Sequence, residues 1–168
     1  MGPLTGLRVI ELQGIGPGPF CGMMLADMGA SVIKVEKPDG DDSRRFLPPE
    51  INGESAAYMM MNRGKRGIAL NLKDPDAVEV LHALLRDADV VIENYRMGTM
   101  EKLGLGYDKL RAENPKLIYC EISGFGRTGP YSHRGGFDLI AQGMSGLMSI
   151  TGEGPGRPPV KPGAPISD

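Results

Sequence analysis

Cysteine is scarce in this chain: Cys21 and Cys120 are the two thiols in 168 residues. Two such distant residues make neither a disulfide framework nor a metal-ligand spacing. An excess of basic charge is also lacking. Nineteen Lys and Arg stand against 21 Asp and Glu, for a net charge of −2. The basic residues are scattered as well, so the field a nucleic acid requires is absent. No apolar run approaches the roughly 20 residues that span a bilayer. The opening stretch MGPLTGLRVIEL has no charged region followed by a long apolar core, so it does not read as a secretory leader. Pro3 and Gly6 spoil the acylation pattern that Met1–Gly2 would open. The expectation is a soluble, cytoplasmic protein with no nucleic acid, membrane or metal partner.

What the chain does have is glycine, 25 residues, and proline, 14. Together they approach the level that signals disorder. Here they cluster between apolar segments, which makes them loop chemistry. A length of 168 residues suits one domain or most of one.

Apolar patterning predicts strands over 7–12, 31–37, 67–72, 89–95 and 116–126. Helices are predicted over 19–29, 55–62, 74–88, 106–115 and 137–152, with 39–54 and 153–165 irregular. Asp74 is placed to cap its helix, with Pro75 at the first helical position. Val78, Leu81, Leu84 and Leu85 fall on one face of it. Gly29 suits a helix end. The first strand, helix and second strand occupy about 30 residues, the span of a parallel crossover unit. Strands alternating with helices predict an α/β fold: a Rossmann-like, open, mainly parallel sheet with helices on both faces.

Four stretches could carry chemistry. GIGPGPF, 14–20, lies between the first strand and helix, where a dinucleotide loop would lie, and Glu36 stands where a ribose-binding acid would stand. The spacing fails, because residue 19 is Pro where a third Gly is needed. Pro17 and Pro19 also remove N–H groups that a pyrophosphate cradle uses. The loop is then a tight connection, or it leaves room for a bulky ligand. In NRGKRGIALNLK, 62–73, Arg63, Lys65, Arg66 and Lys73 bracket a strand; they form a solvated face or attract a phosphate. ENYRMGTMEKLGLGY, 93–107, follows a strand whose carboxyl end is a ligand-binding edge in open parallel sheets. Asn94 and Tyr95 there either hydrogen-bond and stack on a base or are structural. SGFGRTGPYSHRGGFD, 123–138, is a Gly-rich loop with His133, one of two histidines beside His82. Neither a Ser-His-Asp order nor a metal-ligand spacing emerges.

Taken together these segments resemble the family III CoA-transferases, the group that includes formyl-CoA transferase, carnitine CoA-transferase and α-methylacyl-CoA racemase. The residues that carry the resemblance are GLRVIEL, GPGPFCGMMLADMGASVIKVEKPDGDDSR, NRGKRGIALNLK, DVVIENYRMGTMEKLGLGY, NPKLIYCEISGFGRTGPY and GFDLIAQGMSGLMSITG. Each is suggestive alone; their order over nearly the whole chain is specific. The resemblance implies that residues 1–168 are the N-terminal part of a CoA-binding large domain. The family's full fold is an interlocked homodimer of chains more than twice as long, so this chain alone is expected to be inactive.

The resemblance also assigns residues. A loop shaped like PGAPISD carries the family's catalytic aspartate, and Asp168 matches it. Its carboxylate would attack the thioester carbonyl of an acyl-CoA and release CoA as a thiolate; exchange through an aspartyl-CoA thioester would then move CoA to a small carboxylic acid. This divides one hard step into easier ones. Coenzyme A would be held by Ile15, Gly16 and Pro17 along the pantetheine, and by Lys37, Leu70, Asn71 and Lys73 near the adenine nucleotide. Asn94 and Tyr95 would lie at the next strand end, with Lys102 and Arg134 as further basic contacts. Lys102 stands where Arg is frequent in the family, keeping the charge without the bidentate fork. No metal is implied.

A racemase-type isomerase is the alternative activity. It needs acid/base groups on both faces of the α-carbon, and the racemases place a His within GHD. This chain has GFD, with Phe137 at that position. An aromatic there is the transferase pattern. The acyl donor and acceptor are not readable from these residues.

Overall fold

The computed structural model describes residues 2–12 and 14–168. Met1, the first residue of the Met1–Gly2 pair considered above, and Gln13 lie outside the described residues. The chain divides into two compact units, Met1–Ile122 and Ser123–Asp168.

The first unit is built on five parallel strands. These are β1 (Arg8–Leu12), β2 (Ser31–Glu36), β5 (Arg66–Ala69), β6 (Val90–Glu93) and β7 (Ile118–Glu121), in the order β5-β2-β1-β6-β7. A small antiparallel pair, β3 (Glu50–Ile51) and β4 (Glu54–Ser55), interrupts the crossover from β2 to β5. Between the strands come α1 (Pro17–Asp27), α2 (Ala56–Asn62), α3 (Pro75–Arg86), α4 (Thr99–Lys102) and α5 (Tyr107–Glu113).

Alternation of side chains along each strand divides the core into two layers. Ile10, Leu12, Val35 and Val91 pack with Leu81 and Leu85 of α3 and Leu110 of α5. Val9, Val32 and Ile92 face the other way, toward Cys21 and Leu25 of α1. Helices therefore cover both faces, as expected of a parallel sheet. Leu81 and Leu85 are fully buried, so truncating either to Ala costs on the order of 2–5 kcal/mol. His82 Nε2 meets Glu113 Oε2 at 2.6 Å, which joins α3 to α5.

The α1 layer is not wholly apolar. Glu11 and Lys34 are register partners in β1 and β2, and both are buried. Lys34 Nζ lies 3.1 Å from Glu11 Oε1 and 2.8 Å from Asp41 Oδ2, and Lys65 Nζ lies 2.7 Å from Glu11 Oε2. Gly22 of α1 sits directly on this group: a Cβ there would lie 1.9 Å from Glu11 Oε2. The absence of a side chain at Gly22 is what lets the helix reach the sheet over a buried charge.

Helix starts follow local chemistry. Asp74 Oδ1 accepts from the Asp76 N–H with Pro75 at the first helical position, as the sequence predicts. Ser55 Oγ accepts from the Tyr58 N–H and begins α2. Helix α1 starts at Pro17, two residues before the predicted start at 19, because proline's fixed φ suits the first turn. The strands are shorter than predicted, and 39–54, expected to be irregular, holds a 3₁₀ turn at Asp42–Arg45 and the β3–β4 pair.

The second unit contains one α-helix, α6 (Asp138–Met144), and a 3₁₀ turn, Leu147–Ile150. The single helix predicted over 137–152 breaks at Gly146, whose φ of +83° belongs to the left-handed region. Gly124 and Gly136 close the neck of the loop between them. A Cβ on Gly124 would lie 2.2 Å from the Gly136 Cα, so backbone touches backbone. Within the loop, Phe125 and Tyr131 pack edge to face at 5.6 Å, and the Arg134 guanidinium lies 4.1 Å over the Tyr131 ring.

Candidate functional site

Strand order locates a crevice. The chain runs outward from β1 through β2 to β5, then crosses back to β6 on the other side of β1. The loops after β1 and β6 therefore diverge at the carboxyl end of the sheet, the place where open α/β sheets bind ligands. Ile15, Gly16 and Pro17 follow β1, while Asn94 and Tyr95 follow β6. The two groups of residues thus flank the switch point.

Ile15 has φ +50° and Gly16 φ +82°. This left-handed pair turns the chain sharply into α1, and Gly16 takes the helix N-cap position without a side-chain cap. A non-glycine residue in the left-handed region is strained, and such strain collects at ligand-facing turns. Across the crevice, the Tyr95 N–H donates to Glu93 Oε2 at 2.6 Å. Glu93 is itself buried, and burial, followed by the Glu93 charge, pushes the Tyr95 phenol up from its usual range. Tyr95 packs against the α3-side core, so its ring belongs partly to the fold.

A second group lies farther along the same edge. Leu70, Asn71 and Lys73 follow β5 and Lys37 follows β2. The Leu70 N–H donates to the Glu36 carbonyl at 2.8 Å, and Asn71 Oδ1 accepts from the Lys73 N–H at 3.3 Å. A cleft of about 440 Å³ opens here, lined by Glu36, Lys37, Gly40, Arg44, Ile68 and Ala69. Lys37 is half-exposed and pairs with Asp42 at 2.6 Å. Lys102 ends α4 and is exposed. The structure thus gathers ten of the predicted positions, Ile15 to Lys102, along one edge of the first unit. Arg134 and Asp168 belong to the second unit.

Two motif readings change. Glu36 is not available to a ribose. Arg44 Nε and Nη2 donate to its two oxygens at 2.8 and 2.9 Å, with further bonds from the Tyr58 hydroxyl at 2.7 Å and the Asp41 N–H at 2.8 Å. Burial raises this carboxyl, but those donors outweigh it and hold it down at about 2. The basic run 62–73 is only partly a solvated face: Arg63, Arg66 and Lys73 are exposed, whereas the Lys65 side chain is buried. Lys65 is buried against Glu11, Arg63 pairs with Asp27, and Arg66 donates to Ser31 Oγ. Only Lys73 remains from that run at the ligand edge.

Asp168 is exposed. Its side-chain carboxyl is nonetheless partly desolvated, and this, followed by the charge of Asp138, pushes its pKa above the ordinary aspartate value, against a backbone hydrogen bond from Asp138. Asp138 Oδ1 accepts from the Ser167 N–H at 3.0 Å, and its Oδ2 accepts from Gln142 Nε2 at 2.6 Å. Sequence reasoning passed over Asp138 and Gln142. Their i,i+4 spacing on a helix was visible, but the pairing with residue 167 was not. Phe137 is largely exposed and occupies the N-cap position just before α6.

A family model for CoA-transferase family III matches residues 4–168. The chain belongs to that family. The succinate–glutarate CoA-transferase of Agrobacterium fabrum is 53% identical over 173 aligned residues, covering 99% of this chain and 43% of that protein. The succinyl-CoA:glutarate CoA-transferase of Mus musculus is 48% identical, covering all of this chain and 38% of its own length. A crystal structure of a CAIB/BAIF family protein from Brucella suis superposes with a TM-score of 0.93 at 48% identity, covering 98% of this chain and 44% of that one. The chain thus spans less than half the length of the family III relatives it matches. Among the described residues, no group of three or more His, Cys, Asp or Glu is arranged to hold a metal. Among the described residues, no helix is long and apolar enough to cross a membrane.

Proposed function

We propose that this chain is the N-terminal part of the large domain of an acyl-CoA:carboxylate CoA-transferase that works through an acyl-aspartyl intermediate on Asp168. The observation that carries the reading is the set of ten positions along the carboxyl edge of the sheet. By resemblance they match the family's CoA-binding pattern, and five of them, Ile15, Gly16, Pro17, Asn94 and Tyr95, flank the switch-point crevice. The pantetheine would run past Ile15, Gly16 and Pro17. The adenine nucleotide would lie by Leu70, Asn71 and Tyr95, with Lys37, Lys73, Lys102 and Arg134 offering charge to phosphates. Loose, exposed lysines suit a flexible diphosphate chain that needs point charges rather than a fixed fork.

In the reaction, an Asp168 oxygen adds to the thioester carbonyl carbon. The C–S bond breaks, and the sulfur leaves with the electron pair as CoA thiolate. A mixed anhydride remains on Asp168. The thiolate then attacks the aspartyl carbonyl of that anhydride and releases the first carboxylate. The resulting aspartyl-CoA thioester takes up the acceptor carboxylate by the reverse sequence. No step needs an imidazole, which agrees with Phe137 where an isomerase would carry His. The full enzyme is read as a cytoplasmic homodimer of longer chains. Dicarboxylates such as those named in the two relatives are the first substrates to try.

The test uses the full-length enzyme that contains this chain. Incubation with succinyl-CoA followed by hydroxylamine or borohydride should mark Asp168, as peptide mass spectrometry would show. Asp168→Ala should lose the mark and at least about a thousandfold in kcat, the range for removal of a covalent nucleophile. Full turnover by that variant would sink the proposal.

A further inference from the structure

The geometry points to Asp138 as the residue that positions Asp168 and tunes its reactivity: Asp138 tethers the main chain beside the nucleophile and sets a fixed negative charge next to it. This rests on Asp168 being the nucleophile, as proposed above.

Asp138 is joined to the 165–168 loop twice. Its Oδ1 accepts from the Ser167 N–H at 3.0 Å. Its own backbone bonds to the Asp168 carboxyl. Its other oxygen, Oδ2, accepts from Gln142 Nε2 at 2.6 Å, and Gln142 has no accessible surface. A buried amide thus fixes the Asp138 side chain, and Asp138 fixes the residue before the nucleophile. Loop residues 153–167 are otherwise short of partners. In that stretch, Arg157 bonds back to Gly154 and Glu153, and the Ile166 N–H to Ala164. The bond at Ser167 is therefore the long-range hydrogen bond that anchors the end of this loop.

The second effect is electrostatic. The charged groups acting on Asp138 are Asp168 and Lys161. The Gln142 bond holds Asp138 ionised, below its ordinary value. Partial burial first, and the ionised Asp138 second, disfavour a charge on Asp168, so its carboxylate is more basic than a free aspartate. A more basic carboxylate is the better nucleophile provided it is still ionised at working pH. Acylation turns the Asp168 anion into a neutral anhydride and relieves the repulsion. The interaction is thus unfavourable before the first step and absent after it. Sequence offers no hint of this, since 30 residues separate the two aspartates and neither sits in a shared motif.

The two roles separate by substitution in the full-length enzyme. Asp138→Asn removes the charge but keeps an oxygen for the Ser167 N–H. Its new amide can donate to Gln142 Oε1, which has no hydrogen-bond partner in the native arrangement. Asp138→Ala removes both charge and tether. Succinyl-CoA-dependent kcat and KM are measured across pH, together with the rate of Asp168 adduct formation in a single turnover. The acid limb reports ionisation of Asp168, so it should move to lower pH in Asp138→Asn. In Asp138→Ala, kcat should fall by roughly 10- to 100-fold, the cost of a small misplacement of a reacting group, with KM changed less than about threefold. An acid limb that stays in place in Asp138→Asn overturns the electrostatic role. Wild-type kcat in Asp138→Ala overturns the tether. If Asp138→Ala does not fold, the acid limb of Asp138→Asn decides. An adduct that still forms in Asp168→Ala would instead refute the nucleophile itself.

Discussion

Glu36 shows how far one side chain can be committed to structure. It stands at a position that suggests ribose recognition, yet four donors occupy its carboxylate. The consequence for pH follows from the sign of the shift. Its folded-state value, about 2, lies below the unfolded value, so its contribution to stability is fully present above roughly pH 4.5. That contribution is lost as pH falls from there through about 2. Acid titration of the unfolding midpoint should show this loss in wild type, and Glu36→Gln should be weaker at neutral pH with a flatter profile over that window. A Glu36→Gln profile that parallels wild type would mean the carboxylate is not the group that titrates. Arg44 and Tyr58 are coupled to it: the hydrogen bond to Glu36 raises the guanidinium, and burial followed by the hydrogen bond to Glu36 raises the phenol.

At the scale of elements, α1 and its contact with the sheet are the most constrained junction. The helix rests on a buried quartet, Glu11, Lys34, Asp41 and Lys65, through Gly22. Removing one member leaves a buried charge unbalanced, which costs about 3–5 kcal/mol. Glu11→Ala should therefore lower urea-unfolding stability by that amount. Adding Lys65→Met should restore part of it, because the remaining Lys34–Asp41 pair is neutral. A double variant less stable than Glu11→Ala would show that the charges do not act as a unit. The alternating strands, the Asp74 cap and the sheet's parallel character were legible in sequence because each depends on neighbours in the chain. Glu11 and Lys34 interrupted their apolar strands visibly, but their partnership depends on register between strands, which no local pattern gives. The break of α6 at Gly146 was missed because a single glycine costs a helix only about 1 kcal/mol, too little to outweigh apolar spacing on either side. The ten sheet-edge positions were legible through likeness to a family, whereas the tie from Asp138 to Ser167 joins segments that no motif connects.

For the whole molecule, the balance of surface matters more than any one contact. In the second unit Ile150 is 84% exposed, Phe137 73%, Ile166 60% and Met144 56%. Large apolar side chains exposed together in one small unit favour association. The isolated chain should therefore elute ahead of an 18.0 kDa monomer on size exclusion and enhance the fluorescence of an apolar dye. A clean monomer that binds CoA would refute this. The two glycines that touch at the neck of the 124–136 loop have a different consequence. A noose drawn tight by main chain alone isolates what it encloses: the intervening residues can be lengthened, shortened or rewritten while the entry and exit points keep their places. Natural or laboratory diversification of this chain would find there a site where new surface can be added without retuning the aspartates beyond it.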